Sequence, residues 1–69
     1  MTGRDDAFRR NLRRLMAERD MNGIDLAQAS GLSRGSVYHY LGGKCQPNVS
    51  SLRLIRDALG CSWDELLGE

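Results

Sequence analysis

The hydrophobic positions of the chain fall into short stretches with helical spacing. The first stretch has apolar residues at i, i+4, i+7 and i+8, namely Phe8, Leu12, Leu15 and Met16. Two later stretches repeat this kind of spacing, Val37-Tyr40-Leu41 and Leu52-Ile55-Leu59. Such spacing places apolar side chains on one face of a helix, and no stretch shows the alternation of a strand. The pattern therefore predicts an all-α fold.

Small polar residues and glycines mark where these helices begin and end. The N-cap candidates are Asn22, Ser33, Asn48 and Ser62, and the stop signals are Gly31, Gly42-Gly43 and Gly60. Asp25 and Glu65 each follow an N-cap by three residues, which completes a capping-box pattern. These signals predict five short helices without a linker or an internal repeat. We expect residues 1–69 to form a single domain.

The second and third predicted helices, at about residues 22–41, are joined by a turn of only three residues, Gly31-Leu32-Ser33. Gly31 permits the positive φ that such a turn requires. In the third helix, at about residues 33–41, the positions most opposite the apolar stripe are Gly35 and His39. This arrangement predicts a helix-turn-helix, which places its second helix in the major groove of DNA.

The distribution of charge changes this picture more than the net charge of +1 does. Residues 1–19 carry six arginines against three acids, and residues 26–56 carry four basic residues and no acid. The segment after Arg56 has four acids and no basic residue. This asymmetry indicates one face toward phosphates. For the cluster of Arg9, Arg10, Arg13 and Arg14, a solvated helix surface is an equally good interpretation.

Composition excludes several other classes of protein. One histidine and two distant cysteines, Cys45 and Cys61, cannot build a four-ligand zinc site. We expect no metal, no cofactor and no catalytic residues, because no nucleophile-base arrangement is present and the chain is too short for a deep pocket. No apolar run reaches membrane-spanning length and no signal peptide is evident. Reduced cysteines and a bare N-terminus suggest a cytoplasmic protein.

In order and spacing, the chain resembles the Cro/repressor-type (XRE-like) helix-turn-helix domains, a family that includes lambdoid phage repressors. The resemblance covers about residues 8–67 and rests on Leu12-Arg13-Arg14-Leu15, Met21-Asn22, Leu26-Ala27, Gly31-Leu32-Ser33, Val37, Tyr40, Gly43-Lys44, Pro47 and the segment Ala58 to Leu67. It implies a lambda-repressor-like fold and a DNA-binding transcriptional regulator, expected to be a repressor and a nucleoid-associated protein of bacterial or phage type.

The chain departs from the family pattern in two features. Family members often begin the second helix with a glutamine that contacts a phosphate and braces the third helix, and Gly23 stands there in this chain. Many also pair an arginine on the first helix with a glutamate near the end of the third, and here these positions are Met16 and Leu41. An apolar pair that replaces an ion pair is often neutral or stabilising. Neither departure lies on the expected DNA-reading face.

The resemblance implies base-reading positions at the start of the third helix and one turn further on, which are Arg34, Gly35, Ser36 and His39. The chemistry agrees, because Arg34 can donate two hydrogen bonds to guanine and Ser36 can donate or accept. Gly35 reads nothing itself; either it permits close approach to the bases or it is simply tolerated. His39 can donate to a base or, when protonated, to a phosphate, unless it makes no contact.

Other residues are expected to hold the DNA backbone. These are Asn22, Gly23, Ser33, Tyr38, Lys44 and Gln46. Gly23 would act through its N–H at a helix N-terminus. Tyr38 would act through its hydroxyl, with packing on a neighbouring residue as the alternative. Tyr40 is expected to belong to the core.

The acidic, apolar C-terminal segment is the expected dimer interface, with Cys61, Trp63 and Leu67 as its residues. Trp63 is expected to lie in the core between the last and first helices, with the dimer contact as its alternative role. A homodimer would bind a palindromic DNA site. The competing hypothesis is a protein-binding module, such as an antitoxin, which would use the same fold to hold a toxin or another partner such as polymerase.

Overall fold

The predicted all-α fold is confirmed in a computed structural model that describes residues 4–43 and 46–68, the first three of these by their backbone alone. The described residues form five α-helices and no strand. Their bounds are α1 Arg4–Glu18, α2 Gly23–Ser30, α3 Arg34–Gly42, α4 Val49–Leu59 and α5 Trp63–Leu67. Helix α1 packs against α3 and α5, and helix α2 packs against α3 and α4.

Each helix from α2 to α5 begins at the N-cap that the sequence predicts. The side chains of Asn22 and Ser62 accept hydrogen bonds from the N3 backbone N–H, and Asp25 and Glu65 complete both capping boxes. Asn48 caps α4 in the same way through the N–H of Ser51, at 2.8 Å. These bonds satisfy backbone donors that would otherwise lack a partner at a helix start.

Left-handed residues end three of these helices. Gly31, Gly43 and Gly60 have φ of 80°, 77° and 65°, in the region that side chains disfavour. The positive φ predicted for Gly31 is therefore confirmed. Asp20, between α1 and α2, also has a positive φ of 55°, which nothing in the pattern of apolar residues indicates.

The core lies along the apolar face of α1, as the spacing predicts. Its buried side chains are Phe8, Leu12, Leu15, Met16, Leu26, Ala27, Val37, Ile55, Leu59 and Leu66. Tyr40, Leu41 and Leu52 are half-buried and pack against this cluster. Tyr40 thus belongs to the core region as expected, and its hydroxyl donates to the hydroxyl of Ser51 at 3.4 Å.

Polar side chains of α1 donate to backbone carbonyls at the ends of other helices. The buried Asn11 donates to the carbonyls of Leu66 and Gly68, at 3.1 and 2.6 Å. Arg13 donates to Leu41 at 2.9 Å, at the end of α3. The last carbonyls of a helix lack intrahelical donors and carry the negative end of its dipole. Helix α1 is therefore both the centre of the core and a source of donors for helix ends.

The expectation that Trp63 lies in the core is wrong. Its side chain is 37% exposed, and the guanidinium of Arg56 lies over its ring, 4.7 Å from the centroid. Trp63 is the first residue of α5, whereas Leu66, one turn further on, fills the buried position. The short α5 reaches the core through Leu66, which leaves its first turn at the surface.

Candidate nucleic-acid interface

The face of α3 that points away from the core carries the predicted base-reading residues. Across Arg34–Gly42, all of which the structure describes, Val37 alone is buried. Arg34, Gly35 and His39 are exposed, and Ser36 is half-buried. The helical geometry thus brings the four positions together on one accessible surface, which we call the α3 outer face. Whether they contact bases stays a prediction.

The first turn of α3 is held by Ser33, and this determines which hydrogen bonds Ser36 can make. The Ser33 hydroxyl accepts from the Ser36 N–H at 3.1 Å and donates to the Ser36 hydroxyl at 3.0 Å. The Ser36 hydroxyl therefore accepts a hydrogen bond from inside the protein, and its own O–H can donate outward. A donor at this position suits the acceptors that purines present in the major groove.

The same two bonds change the expected role of Ser33. Its hydroxyl already donates to Ser36, so in this arrangement it has no hydrogen left to donate to a phosphate. Its remaining lone pair cannot bind a phosphate either, because phosphate oxygens accept hydrogen bonds and do not donate them. A phosphate contact at Ser33 would have to use its backbone N–H. The structure supports Ser33 first as the N-cap that orders α3.

Arg34 and His39 contribute polar groups to the α3 outer face. Within the described part of the chain, neither side chain has a hydrogen-bond or ion-pair partner. Arg34 stands at the first position of α3 and His39 more than one turn later. A guanidinium with five donors and no internal partner can meet a guanine edge without first breaking an existing bond.

Tyr38 and Gly23 form a contact between α3 and α2 that the sequence does not reveal. Gly23 is buried, and a Cβ added there would lie 2.7 Å from Cζ and 2.9 Å from the hydroxyl oxygen of Tyr38. The ring therefore fills the space that a side chain at position 23 would need. Tyr38 is nevertheless 50% exposed. The ring thus packs on a neighbour, as the alternative interpretation has it, and its hydroxyl lies at the α2 N-terminus. A phosphate contact by that hydroxyl stays a prediction.

The N-terminus of α2 is only partly available to a phosphate. The Asn22 side-chain oxygen accepts from the Asp25 N–H at 2.8 Å, and the Asp25 carboxylate accepts from the Asn22 N–H at 3.1 Å. Asn22 keeps its exposed amide group for an outside acceptor. The Asp25 carboxylate opposes a phosphate at this end of the helix, because it adds a negative charge.

Sequence reasoning overlooked one candidate on the same surface. Gln28, exposed on α2, lines an open hollow together with Ile24, Leu32 and Arg34. The sequence signal that could have identified Gln28 is its position five residues after Gly23, on the face of α2 that points away from the buried Leu26. A glutamine amide is suited to adenine or to phosphate.

The remaining predicted positions lie at the edges of the described structure. Gln46 is exposed ahead of α4, while Lys44 and Cys45 lie outside the described residues. Among the expected dimer residues, Trp63 and Leu67 are exposed and Cys61 is half-buried. Burial raises the pKa of the Cys61 thiol, which the nearby Arg19 partly counteracts.

The described residues contain no group of three or more His, Cys, Asp or Glu side chains placed to hold a metal ion. None of the helices that the structure describes is long and apolar enough to cross a membrane.

Comparison with known proteins agrees with this geometry. A family model of the Cro/C1-type helix-turn-helix DNA-binding domain matches residues 11–68. The chain is also 38% identical over 56 residues to the SPbeta prophage-derived uncharacterized HTH-type transcriptional regulator YotL of Bacillus subtilis (strain 168), across 80% of this chain and 70% of that protein. No solved structure matches the chain significantly.

Proposed function

Because this chain belongs to the Cro/C1-type family of helix-turn-helix DNA-binding domains, we propose that it is a sequence-specific transcriptional regulator that inserts α3 into the major groove. The observation that carries the proposal is the α3 outer face. Its polar side chains Arg34 and His39 are exposed and have no partner among the described residues, while Val37 on the opposite side packs against the core.

We further propose that it binds DNA as a homodimer and represses transcription by occupying its site. Exposed Trp63 and Leu67 on α5 support a dimer contact there. The C-terminal segment also lacks basic residues, so it has little attraction for phosphates. Two copies related by a twofold axis would place their α3 helices about one DNA turn apart.

Selection of random duplex DNA by the purified protein, followed by sequencing of the bound pool, tests this proposal. We expect a palindrome whose half-site centres are about 10 base pairs apart. Sedimentation with and without the selected DNA would show the dimer. A pool without enrichment, obtained with folded protein at low salt, would favour the protein-binding alternative.

The salt dependence of binding tests the electrostatic part of the same proposal. For a dimer with roughly two to four phosphate contacts per subunit, the slope of log K against log salt should lie between about −3 and −7. A slope near zero would contradict the proposed grip on the DNA backbone.

A further inference from the structure

Helix α3 is held to the rest of the protein from two sides. On its inner side, Val37 is buried and Tyr40 and Leu41 are half-buried against the core. At its C-terminal end, α1 supplies hydrogen bonds: Arg13 donates to the Leu41 carbonyl at 2.9 Å, and Arg9 donates to the Gly42 carbonyl at 3.5 Å. Since so few apolar side chains anchor α3, these bonds to its last carbonyls constrain its orientation.

We propose that Arg13 is a positioning residue for DNA recognition, one that determines how well α3 discriminates between bases without itself reading a base. The inference rests on the proposed function of α3. Arg13 lies on α1 and its guanidinium grips the last turn of α3, whereas Arg34 and Ser36 lie in the first turn. Because both turns belong to one rigid helix, a change at the last turn of α3 moves its first turn.

The length of α3 makes a small tilt at its last turn matter at its first turn. Leu41 lies seven positions after Arg34, and at 1.5 Å per residue the two are about 10 Å apart along the helix axis. A tilt of α3 by about 6° around its C-terminal end would shift the first turn by about 1 Å, enough to spoil bidentate hydrogen bonds. Loss of the Arg13 bond would permit such tilts, because the carbonyl end of α3 would lose a charged donor.

Helix α1 offers a matched control in the next residue. Arg14 also donates to a backbone carbonyl, that of Glu65 in α5 at 3.3 Å, and it also pairs with Glu18 at 4.0 Å. Arg13 and Arg14 are both exposed and stand on the same helix. They differ in which helix they hold, so a comparison of the two separates the positioning of α3 from general support of the fold.

The test compares Arg13→Met and Arg14→Met. Methionine keeps the aliphatic stem and nearly the same helix propensity as arginine, but removes the donor and the charge. Affinity for the DNA selected by the wild type and for a scrambled duplex is measured over a range of salt, at a temperature where circular dichroism shows every variant folded. Arg13→Ala replaces Arg13→Met if the latter does not fold, because alanine also removes the donor and the charge.

We expect Arg13→Met to lower the ratio of selected to scrambled affinity by about threefold to tenfold, with an unchanged salt slope and unchanged affinity for scrambled DNA. Arg14→Met should leave the ratio as it is. Equal loss on both duplexes with a slope smaller in magnitude by about 1 per arginine would show a phosphate contact at Arg13 instead. An unchanged ratio in Arg13→Met would also overturn the proposal.

The wild-type protein separates failure of this inference from failure of the proposed function. If the wild type selects no sequence at all, the proposed function fails and the positioning role fails with it. If the wild type selects a sequence and Arg13→Met discriminates equally well, only the positioning role fails.

Discussion

Helices α1 and α3 touch each other, yet they are built on opposite principles. Helix α1 buries an apolar stripe that includes Leu12 and Leu15, and three of its arginines donate to backbone carbonyls of α3 and α5. Across Arg34–Gly42, all of which the structure describes, helix α3 buries only Val37. Its Arg34 and His39 side chains have no partner among the described residues. The contrast teaches that exposed charge does not by itself identify a DNA-binding surface, because three arginines of the more arginine-rich helix donate to the protein's own backbone.

The largest effect that tests this contrast should come from the core of α1. Leu12 is completely buried, and Leu12→Ala should lower the free energy of unfolding by about 2–5 kcal/mol, the cost of lost burial plus a cavity. Leu54→Ala on α4, where the leucine is 42% exposed, is the control and should cost less than about 1 kcal/mol. Urea unfolding followed by circular dichroism measures both. Equal losses would contradict the central place given to α1.

Arg34→Ala should act on binding and leave folding intact. Arg34 is exposed and has no partner among the described residues, so the free energy of unfolding should stay within about 0.5 kcal/mol of the wild type. On the selected DNA the loss should be about 1–3 kcal/mol, with little change on scrambled DNA. Titrations with both duplexes measure this, and equal losses on the two would mean that Arg34 contacts phosphate.

The contact between Gly23 and Tyr38 should show up as coupling between the two positions. Gly23→Ala places a Cβ 2.7 Å from the Tyr38 ring, so the ring must swing away, at a cost of about 1 kcal/mol or more in stability. In a Tyr38→Ala background that cost should vanish, since the space is then empty. A double-mutant cycle from urea unfolding gives the coupling energy. A coupling near zero would show that the ring does not depend on the glycine.

Much of this fold could be predicted because its signals are local. An N-cap such as Ser33 and a stop such as Gly31 act within one turn of the chain, and periodicity places Gly35 and His39 opposite Val37 without reference to other helices. The predicted α3 outer face therefore matches the exposed face in the structure.

The features that escaped prediction depend on distances between helices. Arg13 meets the carbonyl of a residue 28 positions later, and the Tyr38 ring covers Gly23 on another helix. Periodicity can show that an arginine points away from the core but not which helix end lies within its reach. Trp63 was misplaced for a similar reason, since its apolar character says nothing about which residue of the short α5 reaches the core.

The smallest expected effect concerns Gly35 in α3, where a substitution should change stability and DNA affinity in opposite directions. A Cβ at Gly35 would meet no atom closer than the Ser33 hydroxyl at 4.0 Å, so Gly35→Ala should fit and stabilise the helix by about 0.5–1 kcal/mol. Affinity for the selected DNA should fall nevertheless, because the added methyl group stands on the α3 outer face where the bases would approach.

Gly42→Ala is the matched control for this opposition. Gly42 ends the same helix, and a Cβ there would meet nothing within 4 Å, so the variant should gain a smaller amount of stability with no loss of binding. Thermal melts and DNA titrations of the two variants compare these outcomes directly. If Gly35→Ala gains stability and keeps its affinity, the glycine is merely tolerated and α3 need not lie close to the bases at that position. If affinity falls in Gly35→Ala alone, the first turn of α3 is the part that enters the groove.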